Sequence, residues 1–301
     1  MNKRELGKSG IYVSELGFGA MSLPNDSHEA KNIFAAALHA GINFFDTADL
    51  YDNGKNEELL SHLLKDNRDK IILATKAGNK MHTDGKTWSW DPSKKHITEA
   101  IKQSLTRLGT DYIDLYQLHG GMMEDDVDES IDAFESLKKE GLIRQYGISS
   151  IRPNVIKRFL DKGSAVSVMM QYSLLDRRPE EWFSMIENAG ASIITRGTVA
   201  KGLLTLDGAS RAKSIKGFAE YSFAEIQHTI ETLEENTEDL HAAAIAFVLK
   251  NKVISSALVG ASSTKQLLDS VIAYEKEYTD EQIAQLSNVV LTHKYKEHRL
   301  N

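Results

Sequence analysis

Short apolar runs alternate with longer amphipathic segments along the whole chain of 301 residues. This alternation predicts an α/β protein, a (β/α)8 TIM barrel that forms a single domain over residues 1–301. Two further observations support a closed barrel. The strand–helix unit recurs about every 30 residues with no linker between repeats, as expected for this fold. The predicted strands are also continuous apolar runs, which is typical of parallel strands covered by helices.

The elements follow from this pattern in chain order. The eight predicted strands cover residues 15–18, 43–47, 70–76, 112–119, 143–149, 166–172, 192–197 and 256–260. The predicted helices cover residues 28–40, 56–65, 94–108, 127–140, 153–160, 179–189, 238–251 and 265–273. Ser27 is the predicted cap of the first helix, and Gly41, Gly109 and Gly141 follow the first, third and fourth helices. We expect residues 1–12 to cap the bottom of the barrel and residues 280–300 to form an extra amphipathic C-terminal helix.

Composition excludes several classes of protein. The net charge is −7, which argues against nucleic acid as a partner. No stretch approaches the roughly 20 apolar residues of a membrane helix, so we expect no membrane partner. The sequence has no cysteine, which excludes disulfides and cysteine nucleophiles and is typical of a cytoplasmic protein. Its ten histidines show no paired ligand spacing, so no metal site is predicted.

Ionisable side chains stand where three successive predicted strands end. Strand two ends close to Asp46, with Tyr51 a short step later, strand three ends at Lys76, and strand four ends at His119. The carboxyl ends of barrel strands open into one shared mouth, so we expect these four side chains to meet there. A buried charge is costly without a partner, and Asp46 and Lys76 on neighbouring strands are predicted to pair.

This combination suits acid catalysis on a carbonyl group. A free tyrosine, with a pKa of about 10, is a poor acid at neutral pH, whereas a close ammonium stabilises the tyrosinate form. Tyr51 is therefore the predicted proton donor, Lys76 with Asp46 its support, and His119 the group that orients the substrate oxygen. Singly, each residue has a plainer interpretation, such as a solvated lysine or a structural histidine. The prediction depends on their occurring together on successive strands.

Eight short motifs then occur in the order found in one known family. They are LGKSGIYVSELGFGAMSL, FDTADLYDNGKNEELL, ILATK, SLTRLGTDYIDLYQLH, GLIRQYGIS, YSLLDR, AKGLL and VGASSTKQLLD. Over nearly its whole length the chain resembles the aldo-keto reductase superfamily, nearest to bacterial reductases and potassium-channel β-subunit-like members. The first motif resembles the family's N-terminal hairpin and first strand.

The resemblance implies an NAD(P)H-dependent enzyme that reduces small aldehydes or ketones, with Asp46, Tyr51, Lys76 and His119 as its catalytic residues. It further implies cofactor contacts at the ends of other strands. These fall at Gly19, Ala20, Met21, Ser149, Ser150, Gln171, Arg196, Gly202, Leu203, Gly260, Ser262, Gln266 and Asp269. Gly19, Ala20 and Met21 adjoin the nicotinamide, and Ser149 and Ser150 hold its carboxamide. Gly202 and Leu203 cover the pyrophosphate. The last four residues of the list bind the adenosine end.

Some positions depart from the family pattern. Met169 stands where a glutamine is usual, and Gln171 on the same strand face can replace it. Arg196 stands in place of an aromatic residue that stacks on the nicotinamide. A guanidinium can stack on a flat ring but would be repelled by the cationic, oxidised nicotinamide, and the alternative is that it reaches the pyrophosphate. Asp52 stands in place of the glycine after the catalytic tyrosine. At the adenine site, Ser270 replaces an asparagine.

The cofactor and the function each keep an alternative. The lysine and arginine that clamp a 2′-phosphate in some members are missing, although Ser262, Ser263 and Lys265 can bind one. We expect NADPH, with NADH left open, and the oligomeric state is not predicted. The alternatives to a carbonyl reductase are a nicotinamide-binding sensor or regulatory subunit with little turnover, and a barrel enzyme without nicotinamide. The adenosine-site motif argues against the last.

Overall fold

A computed structural model describes residues 1–300 and contains a closed barrel of eight parallel strands. We number them β1 (Leu16–Gly19), β2 (Phe44–Asp46), β3 (Ile72–Ala77), β4 (Ile113–Leu118), β5 (Ile143–Ser149), β6 (Ser167–Gln171), β7 (Ser192–Arg196) and β8 (Ile254–Val259). Each strand pairs with the next in chain order, and β8 closes the barrel on β1. The predicted (β/α)8 TIM barrel is confirmed.

Helices surround these strands. They are α1 (Ser27–His39), α2 (Lys55–Leu64), α3 (Lys94–Leu108), α4 (Val127–Lys139), α5 (Pro153–Lys162), α6 (Phe183–Asn188), α7 (Gly208–Ala212), α8 (Phe223–Glu235), α9 (Leu240–Leu249), α10 (Thr264–Tyr274) and α11 (Asp280–Asn288). No helix within residues 1–300 has the length and apolar character needed to cross a membrane.

The interior of the barrel is a packed apolar core. Side chains from several strands, among them Phe44, Leu115 and Ile194, are fully buried there. An antiparallel hairpin of Lys3–Glu5 and Tyr12–Ser14 lies at the amino ends of the strands, and its Val13 and the adjoining Leu6 join the same core. The hairpin therefore closes the bottom, as expected, and leaves the carboxyl ends of the strands for chemistry.

Several helix ends differ from the sequence prediction, and two of the differences have a clear physical cause. The cap of α1 is Asp26, whose carboxylate accepts hydrogen bonds from the backbone N–H groups of His28 and Glu29, while Ser27 is already helical. The C-terminal helix stops at Asn288. Beyond it the chain follows the barrel wall, where the Nη atoms of Arg299 donate to the carboxylate of Glu181. Tertiary contacts therefore override a continuous helix over residues 280–300.

Candidate active site

The predicted ion pair lies at the mouth of the barrel. Asp46 ends β2 and is 3% exposed, and Lys76 on the adjacent β3 is fully buried. The ammonium Nζ of Lys76 donates to Oδ2 of Asp46 at 2.6 Å, to the carbonyl oxygen of Thr47 at 2.7 Å and to Oη of Tyr51 at 3.3 Å. An ammonium has three N–H donors, so this geometry uses all of them and fixes the side chain.

A tight turn brings Tyr51 to this ammonium. Tyr51 begins the 3₁₀ turn Tyr51–Gly54 after β2, and Nζ of Lys76 lies 4.9 Å from the centre of its ring. The next two residues, Asp52 and Asn53, have φ values of 51° and 56°. This left-handed backbone favours glycine, but aspartate and asparagine also tolerate it. The departure from glycine at Asp52 is therefore compatible with the turn.

His119 follows β4 and faces the tyrosine. Its ring lies edge-on to that of Tyr51, with centroids 6.0 Å apart. Burial, followed by the nearby charges of Lys76 and Arg196, lowers the pKa of His119 to about 3. The imidazole is therefore neutral at physiological pH. Its Nδ1 is buried and has no hydrogen-bond partner among residues 1–300. The imidazole makes no side-chain hydrogen bond within residues 1–300, so its other nitrogen, Nε2, is the one that can bond a ligand.

The charges of the ion pair depend on each other. Burial alone acts to lower the pKa of Lys76, but Asp46 and Tyr51 together outweigh it and raise that pKa. Burial raises the pKa of Asp46 despite the attraction of Lys76. Gln117 on β4, which the sequence analysis did not select, donates from Nε2 to Oδ1 of Asp46 at 3.2 Å. Gln117 precedes His119 by two residues and so lies on the same strand face. This spacing could have predicted that Gln117 faces the site.

A second acidic group lies just behind the ion pair. Oδ1 of Asp49 is buried without a partner, and the backbone N–H of Asp49 donates to the carbonyl of Lys76 at 3.3 Å. Glu57 on α2 is fully buried and accepts from Nε of Arg107 at 2.7 Å and from Oγ1 of Thr75 at 2.6 Å. Burial, followed by the charge of Glu57, raises the pKa of Asp49 to about 7.

A tryptophan side chain packs against the backbone next to His119. Nε1 of Trp90 donates to both carboxylate oxygens of Asp125, at 2.9 and 3.1 Å. Its ring packs on Gly78 and Gly120, where an added Cβ would lie 2.7 and 2.9 Å from ring atoms. Gly120 directly follows His119, so Trp90 restricts the segment that presents the imidazole.

The predicted nicotinamide-side residues lie around the same mouth. Gly19 ends β1, and a Cβ added there would meet nothing closer than the carbonyl oxygen of Val259 at 3.9 Å. Ala20 is buried, whereas Met21 is 66% exposed. The predicted carboxamide residues, Ser149 and Ser150, are both buried at the end of β5.

The predicted contacts at β6 and β7 lie side by side. Gln171 and Arg196 are register partners at the ends of these strands, and Nη1 of Arg196 donates to Oε1 of Gln171 at 3.4 Å. Gly202 closes a 3₁₀ turn that follows β7, with a φ of 85°. Leu203 is 1% exposed, so its backbone, not its side chain, is the part that can face a cofactor.

The predicted adenosine-side residues lie at the start of α10. Oε1 of Gln266 accepts from the backbone N–H and the hydroxyl of Ser262, at 2.9 and 3.0 Å. Gly260 lies immediately after β8, and Asp269 pairs with Lys265 at 2.7 Å. Ser270 is buried, and its hydroxyl lies 3.2 Å from Nε2 of His241. Ser270 is therefore directed into the protein.

The barrel and its site are those of an oxidoreductase that acts on small molecules. The chain belongs to the aldo/keto reductase family, whose profile matches residues 15–290. It is 48% identical to the uncharacterized oxidoreductase YqkF of Bacillus subtilis, over 99% of this chain and 100% of that protein. It is similar to the holo form of aldo-keto reductase AKR11C1 from Bacillus halodurans, at 47% identity and a TM-score of 0.94, with 100% of both chains covered. A probable voltage-gated potassium channel β subunit of Oryza sativa is 27% identical, over 91% of this chain and 92% of that one.

The side chains of residues 1–300 were also compared with the requirements of a metal site. Within residues 1–300 no three or more His, Asp or Glu side chains lie together as a potential metal site. The mouth instead offers a hydroxyl beside a fixed ammonium, and a neutral imidazole facing it. These groups can donate a proton and hold an oxygen atom.

Proposed function

We propose that this protein reduces aldehydes or ketones to alcohols with NAD(P)H, using Tyr51 as the general acid. One observation carries the proposal. The buried ammonium of Lys76, held by Asp46, directs its remaining N–H to the phenol oxygen of Tyr51. A positive charge at this point stabilises the phenolate that forms as the proton leaves.

Each residue then has a defined task. The substrate carbonyl oxygen binds between the hydroxyl of Tyr51 and the neutral imidazole of His119, which orients it. Tyr51 gives its proton to that oxygen as negative charge develops there. Lys76 stabilises the resulting phenolate, and Asp46 keeps the ammonium in place. A bound nicotinamide cofactor supplies the hydride.

The residues at the mouth suit such a cofactor. The open space above Gly19, whose strand pairs with the one that carries Asp46, leaves room for a ligand at the mouth. Ser149, Ser150 and Gln171 would hold the nicotinamide end, and the start of α10 the adenosine end, because a helix N-terminus offers free N–H groups to phosphate. We expect NADPH, with NADH as the alternative. A cytoplasmic location is expected from the cysteine-free sequence.

The test is Tyr51→Phe, which removes one hydroxyl and keeps the ring. We expect the turnover of a generic aromatic aldehyde to fall by about 10²–10⁴-fold, because general acid catalysis contributes this much. The dissociation constant for NADPH, measured by cofactor fluorescence, should stay within a few-fold of the wild-type value. Full activity in the variant would refute the role of Tyr51.

A second candidate is a nicotinamide-binding regulatory subunit with little turnover, which the similarity to the channel β subunit favours. The two functions differ in one measurable way. Cofactor binding together with turnover across a panel of carbonyl compounds supports the reductase. Tight binding with negligible turnover across the same panel supports the regulatory subunit.

A further inference from the structure

Two arginines lie at the mouth of the barrel, and only one of them has its charge neutralised. Arg178 donates from Nε and Nη2 to the two carboxylate oxygens of Asp176, both at 2.7 Å. Within residues 1–300, Arg196 makes a single side-chain hydrogen bond, to the neutral amide of Gln171, and no ion pair. Gln171 in turn donates to Asp176 at 3.0 Å, so that carboxylate is already engaged. Arg196 is therefore an exposed, uncompensated cation.

The charge of Arg196 reaches the reacting groups. It is one of the charges that lower the pKa of His119, after burial and Lys76. It also acts on Asp46, where it opposes the effect of burial. The charge of Lys76 is compensated by Asp46 at 2.6 Å, whereas His119 is neutral. Of the two cations that act on His119, Arg196 is therefore the one without a carboxylate partner within residues 1–300.

A nicotinamide ring in this mouth must lie within that field. This inference rests on the proposed function, in which a hydride passes from the nicotinamide ring to the substrate. Hydride transfer needs the donor carbon about 3–3.5 Å from the carbonyl carbon. The carbonyl oxygen must also reach Tyr51 and His119, so the ring lies beside the imidazole on which Arg196 acts. The ring is neutral in the reduced cofactor and carries a positive charge in the oxidised cofactor.

We propose that Arg196 makes the site discriminate between the two redox states of the cofactor, so that it binds the reduced form more tightly than the oxidised form. Release of the oxidised form after each turnover then becomes easier. Carbonyl reduction is less inhibited by its own oxidised cofactor as a result. The guanidinium is the determinant of this preference, and no movement of the fold is required.

Coulomb's law sets the size of the effect. At an illustrative separation of about 6–8 Å, the interaction of two unit charges corresponds to about 3-fold in affinity at the dielectric constant of water and to about 30-fold or more at an effective value of about 20. Since Arg196 is exposed, the lower half of this range applies. Added salt should reduce the effect, because exposed charges are screened.

The experiment measures dissociation constants of NADPH and NADP⁺, by fluorescence and calorimetry, for wild type and Arg196→Gln. The ratio of the NADP⁺ constant to the NADPH constant should fall by about 3- to 10-fold in the variant. Arg196→Lys should restore most of the ratio. Lys139→Gln, which removes an exposed charge at the end of α4 on the opposite side of the barrel, should leave it unchanged. ADP-ribose, which has the pyrophosphate but no nicotinamide, should bind wild type and Arg196→Gln equally.

The outcomes separate this inference from the function on which it rests. An unchanged ratio, with NADPH still bound, would overturn the role of Arg196 and leave the reductase standing. Equal weakening of NADPH, NADP⁺ and ADP-ribose in Arg196→Gln would also overturn it, because the guanidinium would then bind the pyrophosphate. If the wild-type protein bound none of the four cofactor forms, NADPH, NADP⁺, NADH and NAD⁺, both the inference and the proposed function would fail.

Discussion

The ionisation of Asp49 can be measured directly, and it reports on the electrostatics next to the Asp46–Lys76 ion pair. Burial, together with the charge of Glu57, raises its pKa from the ordinary 3.8 to about 7. A carboxyl group with a raised pKa in the folded protein binds its proton more tightly there than in the unfolded chain. Ionising Asp49 therefore costs the folded protein little stability below about pH 4. The cost in the free energy of unfolding grows as the pH rises to 7.

The size of this penalty follows from the shift. About three pKa units at about 1.4 kcal/mol each give at most about 4 kcal/mol above pH 7. Asp49→Asn removes the ionisation and keeps the shape. We expect the advantage of the variant in the free energy of unfolding to be about 1 kcal/mol near pH 4.5 and to grow to at most about 4 kcal/mol by pH 8. Urea denaturation at a series of pH values measures it.

A matched control is close at hand. Asp52→Asn makes the same chemical change on an exposed side chain of the neighbouring turn. Comparing the two variants separates the effect of burial at Asp49 from that of the chemical change itself. A flat or reversed curve for Asp49→Asn would show that Arg107 and Lys76 stabilise the ionised carboxylate more than burial destabilises it. The account of this cluster would then be wrong.

Two further predictions concern the supports of the site. Gly120→Ala should destabilise the protein by about 1–3 kcal/mol in urea denaturation, since its φ is 142° and the new Cβ would lie 2.9 Å from the ring of Trp90; the same change at Gly10, where nothing lies within 4 Å, should cost less. His119 should remain neutral throughout the physiological range, so the pH profile of kcat/KM should show no imidazole ionisation between pH 5 and 8, and a limb near pH 6.5 that disappears in His119→Asn would contradict the assigned environment.

The positions of the four side chains proposed to be catalytic were predictable because the fold supplies their geometry. Strand ends are readable from apolar runs, and parallel strands in a barrel deliver their last residues to one mouth. Asp46, Lys76 and His119 each end such a run, and the structure brings them together with Tyr51. The cofactor contacts stay predictions, since they depend on a molecule that the fold receives and not on strand ends alone.

The supporting residues were not predictable from the sequence in the same way. The roles of Asp49 and Trp90 depend on what packs against them from distant segments, namely Glu57 and Asp125. Helix α8 was missed although its capping box, Ser222 with Glu225, is a recognisable local signal. It lies in the long connection after β7, where the regular strand–helix spacing gives no guidance.

The position of Arg196 shows how this scaffold separates stability from specificity. Lys76 is fully buried, so its charge requires Asp46, and removing either partner would leave an uncompensated charge in the core. Arg196 stands at the exposed end of β7, where a free charge costs little because water still solvates it. The rim can therefore gain or lose a charge without refolding the barrel. That charge still acts on His119, which is why we propose that a single exposed side chain sets the preference between the two forms of the cofactor.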